Sequence, residues 1–350
     1  MSKKILTVVG ARPQFVKAAV VSREIRDRAG LDEVLVHTGQ HYDDNMSDVF
    51  FRELEIPKPH HFMALGGGSH GAMTGRMLEG IERLILDENP DAVMVYGDTN
   101  STVAGAMAAV KLHVPVVHVE AGLRSFDRRM PEEINRIVTD HVSALLLCPT
   151  QGAVEHLKAE GITSGVRMVG DVMYDATLFA IERSKAASTV LADMGLVEGE
   201  YALCTIHRAN NTVDADGLQK ILSYVVEQAG GRPVVFPVHP RTRQLMEGQN
   251  LDLSGFLLTD PLGYFDLHRL LASCALVLTD SGGLQKEAYF HRKPCVTLRD
   301  ATEWVETVDA GWNRLWTTPD FASPRREITD YGDGHAARAA VDAIDELLKA

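Results

Sequence analysis

The feature that most constrains the fold is a repeated succession of a short apolar segment, a polar loop and a segment of helical length. Such strand–loop–helix units are typical of an α/β protein with doubly wound parallel sheets, because a parallel strand requires a crossover connection. At 350 residues the chain is long for a single core, so two domains are expected. The predicted strands are Lys4–Gly10, Glu33–Thr38, Asp91–Tyr96, Val114–Val119, Leu145–Thr150, Tyr201–Thr205, Val234–Val238, Leu257–Asp260, Cys274–Thr279 and Cys295–Leu298.

We place the boundary between the domains at the predicted strand and turn Val166–Val172. The first domain comprises residues 1–170 together with the C-terminal helix, residues 335–350. The second comprises residues 171–334. A polar, alanine-rich stretch before its first strand, Ser184–Gly199, is predicted to be a linker helix. Each domain is expected to be Rossmann-like.

Charge and composition exclude several classes of protein. The net charge of −13 argues against nucleic acid or an anionic membrane as a partner. The four cysteines lie far apart beside apolar residues, which indicates buried free thiols in a reducing cytoplasm. The apolar run at the N-terminus is too short for a signal peptide, and none elsewhere could span a bilayer. Neither a dinucleotide GxGxxG nor a metal-binding spacing such as HExxH is present, so no metal is expected.

The stretch Asp280-Ser281-Gly282-Gly283 separates an apolar strand from a predicted helix. Glycines allow a ligand to approach the backbone, and the start of a helix presents N–H groups with a partial positive charge. Glu287, in the first turns of this helix, could accept hydrogen bonds from the diol of a ribose. Phosphate beside ribose indicates a nucleotide, although the same stretch also fits an ordinary glycine-rich connection with Glu287 as a helix-dipole partner.

Charged residues follow the predicted strands of the first half. Arg12 and Lys17 lie just after the first strand, where open α/β sheets bind ligands and where two cations could hold a diphosphate. Asp98 and Glu120 each end an apolar strand, and adjacent parallel strand ends face one crevice. Asp98 also fits a helix N-cap, whereas Glu120, before Ala-Gly, does not.

Three further residues complete the candidates. Glu132 and Glu133 follow Pro131 at a predicted helix start, where at least one of them is expected to serve only the helix terminus. His207 ends a strand of the second half beside Arg208, a position from which a histidine could contact phosphate.

Taken together in order, the motifs resemble the non-hydrolysing UDP-N-acetylglucosamine 2-epimerases. The resemblance extends over essentially the whole chain. It implies the GT-B architecture, with two Rossmann-like domains and the active site in the cleft between them, a homodimer and no cofactor. The motifs are GARPQFVK, GQHYDDN, GDTNST, HVEAGLRS, MPEEINR, TIHRAN, PVHPRT, TDSGGLQKEA and RDATEWVET.

The resemblance also implies a role for each candidate. Asp98, Glu120 and Glu132 would be the acids around the sugar, and His207 would act at the diphosphate as the fourth catalytic residue. The implied substrate-binding residues are Arg12 and Lys17 at the diphosphate and sugar, Ser281, Gly282 and Gly283 at a phosphate, Glu287 at the ribose, and Leu262 and Leu267 around the uracil.

The chain departs from the family pattern at Trp304. Enzymes acting on UDP-N-acetylglucosamine usually have Arg-Pro where this chain has Trp304-Val305. The tryptophan form resembles relatives that epimerise UDP-2,3-diacetamido-2,3-dideoxyglucuronate in polysaccharide pathways. The sequence therefore leaves two sugars open, UDP-N-acetylglucosamine and the diacetamido uronate.

The expected chemistry needs acids but no oxidising cofactor. The C2 proton of a 2-acetamido sugar becomes acidic only when the bond from C1 to UDP breaks, so elimination of UDP to a glycal followed by re-addition is predicted. Two alternatives remain open at this point: a GT-B glycosyltransferase that uses a UDP-sugar, and a non-catalytic nucleotide-sugar sensor. Several acids at one crevice favour the epimerase over either alternative.

Overall fold

The computed structural model describes residues 2–40, 53–208, 211, 215–249 and 251–349. By residue contacts the chain divides into two compact units, Met1–Ala176 with Thr329–Ala350, and Thr177–Ile328. The chain passes from the first unit to the second within the helix Val172–Ala187. Most of the motif GQHYDDN, from His41 onward, and the end of TIHRAN lie outside the described residues.

The first unit contains a seven-stranded sheet in the order β3-β2-β1-β4-β5-β6-β7, and each adjacent pair is parallel. The order reverses between β1 and β4, which is the switch point where doubly wound sheets bind ligands. Its strands are β1 Lys3–Val9, β2 Leu31–His37, β3 His61–Phe62, β4 Ala92–Tyr96, β5 Val116–Val119, β6 Leu145–Cys148 and β7 Val166–Met168.

The second unit contains a six-stranded parallel sheet in the order β10-β9-β8-β11-β12-β13, with its switch point between β8 and β11. The predicted fold class, two doubly wound parallel sheets, is therefore confirmed. The strands are β8 Ala202–Thr205, β9 Val234–Pro237, β10 Phe256–Thr259, β11 Leu276–Thr279, β12 Cys295–Thr297 and β13 Asn313–Leu315.

Helices cover both faces of these sheets, which is why the strands read as nearly continuous apolar runs. In β8, Ala202 and Cys204 pack into one apolar cluster, while Leu203 packs into another. The helices are α1 Arg12–Arg26, α2 His70–Glu88, α3 Asn100–Lys111, α4 Pro131–Val142, α5 Gln151–Ala159, α6 Val172–Ala187, α7 Val190–Asp193, α8 Ala215–Ala229, α9 Pro240–Met246, α10 Tyr264–Ser273, α11 Gly282–Phe290, α12 Val305–Asp309 and α13 Ala336–Lys349.

The four cysteines are buried and free, as predicted. Burial raises the pKa of Cys148 and of Cys274 to about 12, so both thiols stay protonated near neutral pH. Within the described ranges, no helix combines the length and apolar character required to cross a bilayer.

Three sequence predictions about the elements were wrong. The stretch Ser184–Gly199 is not one linker helix, because it contains the end of α6 and the separate short helix α7. Cys295–Leu298 is not the final strand, since β13 follows it. The two-residue strand β3 was not predicted at all.

Candidate functional site

In the first unit, one buried glutamine fixes the two turns at the switch point. Gln14 Oε1 accepts hydrogen bonds from the backbone N–H groups of Gly10 at 2.8 Å and Ala11 at 3.1 Å. Its Nε2 donates to the Tyr96 carbonyl at 2.7 Å and to Thr99 Oγ1 at 3.0 Å. The turn after β1 and the turn after β4 are therefore held together, which positions the charged residues that follow them.

Lys17 and Glu120 form an ion pair at these strand ends, and only 8% of each side chain is exposed. Glu120 has φ of +70°, a conformation that a residue other than glycine rarely adopts. Such strain is concentrated at functional sites. Gly97 lies beside the pair at φ +60°, and a Cβ there would lie 3.3 Å from Glu120 Oε2. The positive φ angles of Gly97 and Glu120 therefore accompany the close contact between the Glu120 carboxylate and the Lys17 ammonium.

Asp98 belongs to the same group of charges. Its Oδ2 contacts Arg136 Nη2 at 2.6 Å, while 37% of its side chain stays exposed. Desolvation raises the pKa of Asp98, the cations Arg136 and Lys17 lower it, and the charges of Glu120 and Glu132 raise it, for a net increase. Solvent moderates the shift because part of the group is accessible. The structure thus places Asp98 within electrostatic reach of Glu120, Glu132 and Lys17.

The two roles left open for Asp98 are now distinguished. The N-cap of α3 is Thr99, whose side chain accepts from the N–H of Thr102 at 3.3 Å. Asp98 is therefore not the cap of this helix. Its own carbonyl accepts from Asn135 Nδ2 at 2.9 Å, so α4 also positions the turn that carries it.

A buried hydrogen-bond network fixes the backbone next to Asp98. His118 lies in β5 with its Nε2 2.7 Å from the Gly97 carbonyl and its Nδ1 2.7 Å from Asp140. Burial opposes ionisation of Asp140, but the charge of His118 and hydrogen bonds from His118 and Arg124 outweigh it and lower the pKa of Asp140. The His118 ring therefore links the Gly97 carbonyl to the Asp140 carboxylate. Gly97 is thereby anchored between Asp98 and β5.

The two glutamates at the start of α4 have different surroundings. Glu133 is 1% exposed and accepts from the backbone N–H of Ser125 at 2.9 Å and of Phe126 at 2.9 Å. It also contacts Arg136 Nη1 at 3.2 Å. Glu133 therefore orders the loop before the helix, while the neighbouring Glu132 is exposed and accessible to a ligand.

In the second unit, a buried aspartate organises the switch point. Asp280 is fully buried and accepts from the backbone N–H groups of His207 at 3.1 Å and Arg208 at 2.9 Å. Asn211 Nδ2 adds a bond of 3.0 Å. The imidazole Nδ1 of His207 lies 3.2 Å from the same carboxylate, yet 41% of this side chain is exposed. Asp280 thus fixes the loop after β8 and leaves the His207 ring accessible.

The glycine-rich turn is the N-terminus of α11, as predicted. Ser281 is the N-cap and its Oγ accepts from the N–H of Leu284 at 3.4 Å. Gly282 and Gly283 are the first two helical residues, whose N–H groups have no carbonyl one turn earlier in the helix. An N-terminus of this kind is suited to bind a phosphate.

Glu287 lies one turn further along α11 and is 7% exposed. Its Oε1 is 3.7 Å from Nε2 of His268, a fully buried residue. His268 Nδ1 in turn lies 2.9 Å from His291 Nε2, and burial lowers the pKa of His291 well below its usual value. This histidine pair limits the positions available to the Glu287 carboxylate. Leu262 and Leu267 pack, partly buried, against the adjoining apolar cluster.

Sequence reasoning did not assign roles to four of the positioning residues: Gln14, His118, Arg136 and Asp280. Asp280 could have been found in the same way as Asp98 and Glu120, because it is an acid that follows an apolar strand. His118 could have been found because it is a polar residue inside the apolar, buried run Val116–Val119. Gln14 stands at the third helical position, where a side chain can reach back to the residues before the helix.

The chain is similar to solved structures that identify its structural class. The chain matches the crystal structure of Methanocaldococcus jannaschii UDP-GlcNAc 2-epimerase in complex with UDP-GlcNAc and UDP, with a TM-score of 0.89 and 37% identity, covering 99% of this chain and 100% of that one. It matches the Neisseria meningitidis UDP-GlcNAc 2-epimerase bound to UDP-GlcNAc with a TM-score of 0.86 and 27% identity, covering 98% and 100%. The protein is therefore an α/β enzyme of the GT-B class, as predicted.

The family follows from the sequence comparisons. The family model described as UDP-N-acetylglucosamine 2-epimerase matches residues 23–345. The UDP-2,3-diacetamido-2,3-dideoxy-D-glucuronate 2-epimerase of Pseudomonas aeruginosa is 54% identical over 316 residues, covering 89% of this chain and 88% of the relative. A UDP-N-acetylglucosamine 2-epimerase from M. jannaschii is 40% identical over 322 residues, with the same coverage, 89% and 88%.

The chain belongs to the UDP-N-acetylglucosamine 2-epimerase family and is an isomerase. The prediction of an epimerase is thus confirmed, and the comparisons support neither the glycosyltransferase nor the sensor.

Proposed function

We propose that the protein inverts C2 of a UDP-linked 2-acetamido sugar by eliminating UDP and adding it back. The observation that carries the proposal is the Lys17–Glu120 pair beside Asp98, in which Glu120 is held at φ +70°. A strained, mostly buried carboxylate paired with an ammonium, next to an acid with a raised pKa, is an arrangement that serves proton transfer.

The first half-reaction breaks the bond between C1 and the UDP oxygen and removes the proton at C2. The electron pair of the C2–H bond forms the C1–C2 double bond of a 2-acetamidoglucal, and UDP leaves with the electrons of the C1–O bond. The second half-reaction reverses these changes but delivers a proton to the opposite face of C2. Asp98, Glu120 and Glu132 supply the acid and the base, and their individual roles are left unassigned.

The leaving UDP must be held until it returns. We assign its diphosphate to Arg12, Lys17, His207 and the Ser281-Gly282-Gly283 turn, because cations and a helix N-terminus stabilise the charge that develops on it. Glu287 takes the ribose, while Leu262 and Leu267 flank the uracil. The observations that support this assignment are the Ser281 N-cap and the rigid mounting of His207 on Asp280.

We further propose that the two units, Met1–Ala176 with Thr329–Ala350 and Thr177–Ile328, are the sugar-side and the UDP-binding domain of the enzyme. The proposed setting is the cytoplasm, in polysaccharide biosynthesis, and the proposed assembly is a homodimer, which light scattering would test by its mass.

The proposed substrate is UDP-2,3-diacetamido-2,3-dideoxyglucuronate. The relative with that activity in its name is 54% identical to this chain, whereas the M. jannaschii UDP-N-acetylglucosamine 2-epimerase is 40% identical over a span of similar length. Trp304-Val305, in place of the usual Arg-Pro, points the same way. UDP-N-acetylglucosamine is the second candidate and is favoured by the family model.

Proton NMR of two parallel incubations tests this function. The protein is given UDP-N-acetylglucosamine or the diacetamido uronate nucleotide, without any acceptor, and the signals of H1 and H2 report inversion at C2. We expect inversion of the uronate nucleotide at least tenfold faster than of UDP-N-acetylglucosamine. Faster inversion of UDP-N-acetylglucosamine would instead identify that nucleotide as the substrate. Absence of inversion with both, in a protein that binds UDP, would refute the function.

A further inference from the structure

One buried polar atom in the second unit is not explained by the fold. The side chain of Trp304 is 5% exposed, and its Nε1 has no hydrogen-bond partner among the residues that the structure describes. An indole N–H that is buried normally finds an acceptor, because leaving it unsatisfied costs free energy. A ligand that supplies an acceptor at this position would remove the cost.

The position of this N–H shows where the acceptor would lie. A Cβ added to Gly282 would lie 3.6 Å from Trp304 Nε1. Gly282 is the first residue of α11, immediately after the N-cap Ser281. The indole N–H is therefore at the first turn of a nine-residue helix, where the backbone N–H groups also favour an anion.

The orientation of the ring is fixed by the same helix. Lys286 Nζ lies 3.9 Å from the centroid of the Trp304 ring, and Lys286 is only 1% exposed. Lys286 follows Gly282 by four residues and is thus on the same side of α11. A cation against the ring face holds the indole in place, and it adds positive charge close to the first turn.

One acid lies nearby. Glu303 Oε1 would be 2.4 Å from a Cβ on Gly282, so this carboxylate also approaches the first turn. Its other oxygen contacts Arg299 Nη1 at 3.0 Å, which balances its charge. The indole N–H and the Glu303 carboxylate therefore both lie beside the first turn of α11, and Arg299 is paired with that carboxylate.

We propose that Trp304 is a specificity-determining residue whose Nε1–H donates a hydrogen bond to an anionic oxygen of the bound nucleotide sugar at the first turn of α11. The oxygen belongs either to a phosphate of UDP or to a carboxylate on the sugar. The inference rests on the proposed function for the identity of the ligand, and it adds a hydrogen bond of Trp304 that the proposed function does not describe.

Calorimetric titrations of Trp304→Phe test the contact. Phenylalanine keeps an aromatic ring against Lys286 and removes the N–H. Loss of a hydrogen bond to a charged acceptor should weaken binding by about tenfold or more. The matched control is Trp312→Phe, since Trp312 Nε1 already donates to the Arg326 carbonyl at 2.8 Å, and its affinity should equal that of the wild type.

Three ligands distinguish the source of the oxygen. An equal loss with UDP, UDP-N-acetylglucosamine and the diacetamido uronate nucleotide assigns the acceptor to a phosphate. A loss confined to the uronate nucleotide assigns it to the sugar carboxylate. Unchanged affinity of Trp304→Phe for all three overturns the inference. If the wild type binds these ligands but inverts neither sugar, the proposed function fails while the contact can still be judged.

A measurement on the unmodified protein covers the case in which Trp304→Phe does not fold. The chain has three tryptophans, so ¹⁵N–¹H spectra contain a small set of indole signals. Trp304 should be the indole that moves downfield when UDP or the uronate nucleotide is added, while Trp312 serves as an internal reference. An indole spectrum unchanged at saturation with every ligand would contradict the proposal.

Discussion

The two units contain sheets in which the first six strands follow the same doubly wound order, yet their switch points are built from different groups. In the first unit, charged side chains gather at the strand ends, with Lys17 paired to Glu120 and Arg136 to Asp98. In the second, Asp280, the carboxylate that directly follows β11, is fully buried and accepts backbone N–H groups. The first presents ionisable groups, and the second presents a fixed loop and a helix N-terminus.

The difference shows how one architecture can divide a reaction. Proton transfer needs side chains whose charge can change, and it tolerates strain such as the positive φ of Glu120. Holding a diphosphate needs donors that are already in position, which backbone N–H groups provide with little reorganisation. We therefore expect substitutions of the acids in the first unit to reduce turnover, and substitutions at the switch point of the second unit to reduce nucleotide affinity.

The largest effect is expected for Glu120→Gln. The substitution keeps the shape of the side chain but removes its ability to take or give a proton, so kcat should fall by about 10²- to 10⁴-fold. The affinity for UDP, measured by calorimetry, should stay within about threefold of the wild type. Glu79→Gln, at an exposed glutamate paired only with Arg83, is the control and should leave both quantities unchanged. Loss of UDP binding by Glu120→Gln would contradict the expectation that this acid serves turnover and not nucleotide affinity.

The next largest effect is expected for Asp280→Asn in the second unit. An amide offers one acceptor where the buried carboxylate accepts from His207, Arg208 and Asn211, so the free energy of unfolding should fall by about 1–3 kcal/mol. UDP affinity should fall as well, because the loop that carries His207 loosens. Asp260→Asn, at a side chain that is 90% exposed, should change neither value. Chemical denaturation and calorimetry measure both.

The same substitution at two glycines sharpens the comparison. Gly97 has φ of +60°, so Gly97→Ala should lower the free energy of unfolding by about 1 kcal/mol. Gly282 has no such restriction, and its added Cβ would meet the end of the Glu303 side chain at 2.4 Å and Trp304 Nε1 at 3.6 Å. Gly282→Ala should therefore leave stability nearly unchanged but weaken UDP binding several-fold, because the methyl group fills the approach to the helix N-terminus. Equal effects of the two substitutions would argue against the comparison.

The smallest effect concerns Asp175, the carboxylate of the first unit that resembles Asp280 in accepting backbone N–H groups, those of Ala336 and Ala337. Burial raises its pKa to about 6. The native state then binds a proton more tightly than the unfolded state, so this carboxyl group should lower stability as the pH rises from about 4 to above 6, by about 2 kcal/mol.

Asp175→Asn should remove this part of the pH dependence, since an amide does not titrate in this range. Urea unfolding at pH 4.5 and pH 7.5 gives the difference for each protein. The difference should be smaller in the variant than in the wild type, and identical differences would show that Asp175 does not titrate in this range.

The sequence predicted both sheets and the positions of Asp98 and Glu120 just after two of the strands, because apolar runs and the charges that end them are local signals. It did not predict β13, Asn313–Leu315, where the polar Asn313 is buried through hydrogen bonds to Thr297 and Gln285. A strand of this kind has no apolar alternation to recognise.

The strain at Glu120 could not be predicted either. Its backbone N–H and that of Ala121 both donate to the Leu147 carbonyl, each at 3.1 Å. This carbonyl belongs to a strand that is distant in sequence, so the conformation depends on how the sheet assembles. The same holds for Gln14, whose partners Tyr96 and Thr99 follow another strand.

The most direct test of the central claim, that the carboxylates of the first unit move the C2 proton while UDP departs and returns, is epimerisation in D₂O. The recovered product is analysed by NMR and mass spectrometry at C2, with Glu120→Gln run beside the wild type. The account predicts one deuterium at C2 of each sugar that the wild type epimerises. The variant should form almost no epimerised, deuterated product, although it still binds UDP. An epimerised product that keeps its original hydrogen at C2 would contradict it.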